Sequence, residues 1–205
     1  MGQVTSEAVT HEHIDSSLIN AATGPIYVRG AEPGDALSVT LLEIRRDALG
    51  AAMCVLERGR LGRRVTSATR LCHVEDGLMT MNERVTFPAR PMFGVIGVAP
   101  ESGAISTLAA GRHGGNMDDN SNCAGATVHL AVLHPGGLLG IGDVHASMGD
   151  GEISGTGIEI GGTALIRVEL VKGVASARPI TESQHSIVTH ATAGGDNRRG
   201  DAHRV

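Results

Sequence analysis

Aromatic side chains are almost missing from this 205-residue chain, which has two Phe, one Tyr and no Trp. That excludes the stacking platforms on which proteins lay bases or sugars. Cysteine is scarce as well. Cys54, Cys72 and Cys123 are odd in number and form no C-x-x-C pair. Neither a disulfide framework nor a zinc knuckle is therefore expected; buried structural thiols in a reducing compartment are. No apolar run is long enough to cross a membrane, and no signal-peptide core opens the chain. The expected location is the cytoplasm, with no membrane partner. Basic charge is not in excess: the formal net charge is −5, which argues against a nucleic-acid surface. Helical periodicity is missing too, except over residues 41–56, which read weakly as one helix.

Glycine is abundant, at 29 residues, which calls for many turns and close backbone approaches. A hydrophobic fraction of 41% over this length is enough for one core. The division expected is a polar N-terminal segment over 1–22, a β domain over 23–180 and a disordered tail over 181–205. Arg199-Gly200-Asp201 in that tail reads as a chance triplet. PIYV (Pro25–Val28), ALSVTLLEIRR (from Ala36) and PMFGVIGVAP (Pro91–Pro100) read as strands. In the last of these, Gly94 and Gly97 mark a close backbone approach. Residues 47–86 are the least readable, with Arg58, Arg60, Arg63 and Arg64 on a solvated loop; contact with a substrate carboxylate is the minor alternative. GRHGGNMDDN (Gly111–Asn120) reads as a loop. ATVHLAVL, HPGG and LLGIGDVHA predict one hairpin. ISGTGIEI, Gly161-Gly162 and TALIRVELV predict a second. The class is mainly β, a β-sandwich or distorted barrel of hairpins with little helix.

The informative stretch is GIGDVHASMGDGE, Gly140–Glu152. Strand side chains alternate, so Asp143 and His145 share a face. In the hairpin register set by HPGG, Asp143 lies opposite Val128, beside Leu130 and Val132. In the second hairpin, Glu159 lies opposite Ala164 on an apolar face. A buried carboxylate must be paired, protonated or bound to a cation. Asp-x-His supplies hard oxygen and imidazole nitrogen together, which suits a divalent ion, Zn²⁺ or one like it. Asp150 and Glu152 repeat the i, i+2 spacing. Asp118 and Asp119 sit in the glycine loop, where backbone N–H groups of Gly114, Gly115, Asn116 and Met117 are placed to hold an oxyanion. His113, His129 and His134 read as structural or solvated, and His11 and His13 as part of a poorly ordered segment.

Taken together, TGPIYVRGAEPGD (Thr23–Asp35), FGVIGVAP (Phe93–Pro100), GGNMD (Gly114–Asp118) and GDVHASMGDGEISGTGIE (Gly142–Glu159) resemble the acetamidase/formamidase family of amide hydrolases. The resemblance spans roughly residues 20–180. It implies a mainly β fold, a metal-dependent site, hydrolysis of short aliphatic amides to carboxylate and ammonia, and a homo-oligomer. Members are usually longer at both ends, and Met148 stands where glutamine is expected. On this reading Asp118, Asp143 and His145 hold the cation, with Zn²⁺ the first choice and Ca²⁺ the alternative. Glu152 is the general base, while Asp150 and Glu159 are further ligands or carboxylates that orient His145. Three rivals stand beside it: a non-catalytic Ca²⁺-binding β domain, a hydrolase of another C–N bond such as a cyclic imide, and a degenerate paralogue.

Overall fold

The structure, a computed structural model, describes residues 2–191. Thirteen strands run in chain order: β1 (Ala22–Ile26), β2 (Ala36–Cys54), β3 (Ala68–Glu75), β4 (Leu78–Asn82), β5 (Val85–Pro88), β6 (Met92–Gly97), β7 (Ala110–Gly111), β8 (Gly114–Asn116), β9 (Thr127–Ala131), β10 (Leu139–His145), β11 (Ile158–Val171), β12 (Ile180–Glu182) and β13 (Ile187–Thr189). Every pairing between them is antiparallel, and all join one large sheet. The mainly β expectation holds. Among the described residues the only helical segments are three short 3-10 turns, and no helix is long and apolar enough to cross a membrane.

The longest strand organises the rest. β2 pairs with β9 through Ala36–Thr40, with β11 along most of its length, and with β3 through Leu49–Cys54. Its two ends are buried and its middle, residues 42–49, is partly or fully exposed. The helix expected over 41–56 is therefore strand: branched Val39, Thr40 and Ile44 suit the pleat, and cross-strand partners decide the outcome. β6 reads as a continuous apolar run because it is buried on both faces, between β10 and β8. Leu37, Leu41, Ile96, Leu130 and Leu139 meet in one core with no exposed surface.

Both expected hairpins are replaced. β9 pairs with β2 and β12, whereas β10 pairs with β1, β6 and β11. Asp143 therefore does not face Val128. Gly161-Gly162 is no turn either. β11 runs straight through it, and the ladder with β2 slips there, between Ile160 and Gly162. A Cβ at residue 162 would stand 2.7 Å from the Arg45 carbonyl, and one at 161 would collide with the Asp47 carboxylate. These glycines permit a bulge rather than a reversal. Glu159 consequently lies opposite His145 and Ala51, not Ala164.

Two segments expected to be loose are built into the fold. In the N-terminal one, Glu7 pairs with Arg70 at 3.2 Å, Glu12 accepts from Ser67, and His13 Nδ1 accepts the Thr10 N–H at 3.1 Å. In the expected tail, β12 adds to β9 and β13 closes the edge. Residues 192–205, with the Arg199–Asp201 triplet, lie outside the described residues. The loop reading of 111–120 is corrected in part, since β7 and the whole of β8 fall in or beside it. The least readable region, 47–86, carries β3 and β4. Cys54, Cys72 and Cys123 are free thiols.

Leu37 is fully buried at the crossing of β2 with β9 and β11. Leu37→Ala is expected to cost about 2–5 kcal/mol of unfolding free energy, measured by urea denaturation; a cost near zero would mean that this end of β2 is not core.

Candidate active site

A cavity of about 700 Å³ opens beside β10. Asp118, Asp143, His145, Glu152 and Glu159 all line it. They come from four places: the segment just after β8, the C-terminal end of β10, the loop after β10, and the start of β11. The pairing His145↔Glu159 brings β10 and β11 together at this point. On the other side β6 passes Asp143 with Gly94, whose carbonyl accepts the Met117 and Asp118 N–H groups at 2.9 and 3.2 Å. A Cβ at residue 94 would stand 2.6 Å from Asp118 Oδ1 and closer still to Asp143 Oδ2. The close approach expected at Gly94 is therefore made by the two carboxylates.

The backbone is under tension here. Of the seven non-glycine residues with left-handed φ among the described residues, four line this cavity: Asn20, Asp118, Asp143 and Glu152. Such residues cost free energy and collect where geometry serves a task.

The imidazole is the hub. His145 is 1% exposed. Its Nε2 lies 3.3 Å from Glu159 Oε1 and 3.7 Å from Asp143 Oδ1. Its Nδ1 is buried without a partner, against Gly157, where a Cβ would come within 2.6 Å. Glu159 thus shares Nε2 with Asp143 and does not orient the ring through Nδ1. Two overlapping groups of ligand atoms result, Asp118–Asp143–His145 and His145–Glu152–Glu159, each within 4.8 Å.

The charges are poorly matched. Burial, overcome by the Asp143 hydrogen bond and the charges of Glu159, Asp143 and Asp118, leaves His145 raised to about 10. Burial and then the Asp143 charge raise Asp118 to about 6. Burial and then the Asp118 charge raise Glu152 to about 7. For Glu159, burial is again the largest cause, offset in part by His145, and the value rises to about 8. Asp118 Oδ1 is buried with no hydrogen-bond partner. An orphaned carboxylate oxygen beside an imidazole nitrogen and further carboxylates is the donor set of a hard or borderline divalent cation, so these residues fit one.

Other expected site residues fall elsewhere. Asp150 is exposed, absent from the cavity wall, and accepts from Asn120 Nδ2 at 2.7 Å; it stands where it can neither ligate with the cluster nor orient His145, nor act there as a catalytic acid or base. The backbone oxyanion donors are withdrawn too. The Asn116 N–H goes to the Ala109 carbonyl and the Met117 N–H to Gly94, while Gly114 and Gly115 sit in the ladders of β8 with β6 and β7. Only the Asn116 side chain reaches the cavity. His129 bridges Ser38 and Glu182, His134 bonds the Pro135 carbonyl, and His113 is buried away from the cluster. The sequence reading missed Asn20 and placed His11 in a poorly ordered segment. Asn20 reaches the site from the N-terminal segment, and His11, far from loose, lines the cavity with its Nε2 buried and unpartnered. Only neighbourhood to TGPIYV hinted at Asn20. Of the basic cluster, Arg58 alone borders the cavity.

Residues 101–193 match the acetamidase/formamidase family. A crystal structure of a candidate acetamidase/formamidase from Thermoanaerobacter tengcongensis superposes with a TM-score of 0.85 at 38% identity, over 89% of this chain and 61% of that one. The crystal structure of an acetamidase from Bacillus halodurans gives 0.86 at 37%, over 89% and 62%. The chain is similar to these proteins in sequence and in fold. A candidate formamidase of Schizosaccharomyces pombe is 27% identical over 83% of this chain and 57% of its own length. The chain thus spans about 57–62% of the length of these relatives.

The raised values fix a pH dependence for this protein. The folded protein holds protons on Asp118, Glu152, Glu159 and His145 that the unfolded chain would release earlier. Their contribution is full below the unfolded values and is lost as pH rises through the folded ones. In a chelator, the melting temperature is expected to fall steadily between about pH 5 and pH 9. A flat or rising profile over that window would contradict the protonated cluster.

Proposed function

We propose that this site hydrolyses short aliphatic amides of the formamide and acetamide type to carboxylate and ammonia, with a divalent cation as cofactor, Zn²⁺ first. The observation that carries the reading is the convergence of Asp118, Asp143, Glu152 and Glu159 on buried His145 at a cavity wall. The names of the similar acetamidases and formamidases support the amide bond as the target.

Asp118, Asp143 and His145 would hold the cation, with Glu159 beside the same nitrogen. A bound cation supplies Lewis acidity, lowering the pKa of water to roughly 7 and polarising a carbonyl. The remaining work falls to Glu152. Without the cation, burial and the Asp118 charge raise it to about 7; a cation held by Asp118 and Asp143 would offset that charge and leave Glu152 available as a base near neutral pH. It takes a proton from water as the oxygen adds to the amide carbon. It returns that proton to the nitrogen as the C–N bond breaks, so that water and amide become carboxylic acid and ammonia. The apolar walls, which include Phe93, Ile141, Val144 and Ile160, keep bulk water from the reacting atoms.

The test is ammonia release from formamide, acetamide and propionamide by the purified chain, with chelator and after Zn²⁺ add-back. Release that stops with chelator and returns with Zn²⁺ is expected; release indifferent to chelator would remove the cation from the proposal. Glu152→Gln is expected to keep bound metal and lose turnover by a factor on the order of 100. Full turnover in that variant would move the base elsewhere.

A further inference from the structure

Each carboxylate at the mouth of the cluster has one oxygen tethered by an amide. Asn20 Nδ2 donates to Asp143 Oδ2 at 3.0 Å and to Asn116 Oδ1 at 2.8 Å. Asn116 Nδ2 then donates to Asp118 Oδ2 at 2.8 Å. Ionised carboxylates only accept hydrogen bonds. The amide orientations follow from that alone: Asn20 must present N–H groups to Asp143, which leaves it facing the Asn116 carbonyl oxygen, and Asn116 must present its own N–H to Asp118. The relay runs one way and ends on two acids.

The consequence lies in the oxygens it leaves free. Asp118 Oδ1 is buried and unpartnered, and Asp143 Oδ1 lies 3.7 Å from His145 Nε2. Asp143 Oδ1 stands with the imidazole, Asp118 Oδ1 faces Gly94 beside the tethered Asp143 Oδ2, and one oxygen of each acid lies within 4.8 Å of the other and of a ring nitrogen. Asn20 adopts this position with φ +53, a backbone state that asparagine tolerates better than most residues. Its segment reaches the site from 96 residues away in sequence.

We propose that Asn20 is a positioning residue: through Asn116 it fixes Asp118 and Asp143 so that one oxygen of each, with His145 Nε2, forms a preset divalent-cation site. This rests on the proposed metal reading. Hydrogen-bonded partners that orient metal ligands typically account for 10–100-fold in affinity.

Asn20→Gly removes the amide while relaxing the left-handed backbone. Asn20→Asp keeps the shape, tolerates the same φ, and cannot donate to Asp143 when ionised. Both are compared with the unaltered full chain by calorimetric titration of Zn²⁺ into metal-free protein, by the visible spectrum of the Co²⁺ form, and by metal-free melting. Both variants are expected to melt near the unaltered chain, to bind Zn²⁺ roughly 10–100-fold more weakly, and to shift the Co²⁺ bands. If Asn20→Asp instead binds more tightly, added negative charge governs affinity and the positioning role is wrong. Unchanged affinity and spectrum in both variants would also overturn it. An unaltered, folded chain that takes up neither Zn²⁺ nor Co²⁺ overturns the metal reading itself, and this inference with it.

Discussion

Four carboxylates around one buried imidazole is an arrangement that cannot stand fully ionised without help. Like charges in a low-dielectric cavity repel, and burial penalises each of them. Protons or a cation must intervene, which is why Asp118, Glu152 and Glu159 are all raised and His145 is held protonated. The fold supplies the rigidity that keeps such groups together. β10 is locked by β6 on one side and by β1 and β11 on the other, so Asp143 and His145 have no freedom to separate.

Small residues make the approach feasible. Gly94 gives the two aspartates their space, and Gly157 gives His145 its space. In each case the missing Cβ admits a polar group rather than a backbone turn. Gly161 and Gly162 do similar work on the β2–β11 ladder, where they admit Asp47 and the Arg45 carbonyl at a bulge. The high glycine content of this chain thus records close approaches around the site as well as turns.

How much of this was legible varies with the range of the interaction. Asp143 and His145 were readable as partners because the period of a strand is local. Their fitness as donors to a divalent cation was readable from residue type. β6 was readable from a continuous apolar run, whereas β3 was not, because its inward side chains include Cys72 and Thr69. The hairpins failed for one shared reason. HPGG and Gly161-Gly162 satisfy the local rules for a reversal, yet pairing is decided by which distant strand covers the apolar face. Asp150 and the N–H groups of residues 114–117 failed similarly: their partners, Asn120, Ala109 and Gly94, are not visible in the motif itself.

The sequence by itself determined the mainly β class and picked out Asp118, Asp143, His145, Glu152 and Glu159 as candidate donors, since strand period and ligand type are properties of short segments. The tertiary structure alone decided that Glu159 meets His145, that Glu152 enters the cluster while Asp150 stays outside, and that Asn20 crosses to Asp143 and Asn116. Those contacts join residues up to 123 positions apart, and nothing short of the packed antiparallel sheet specifies contacts at that range.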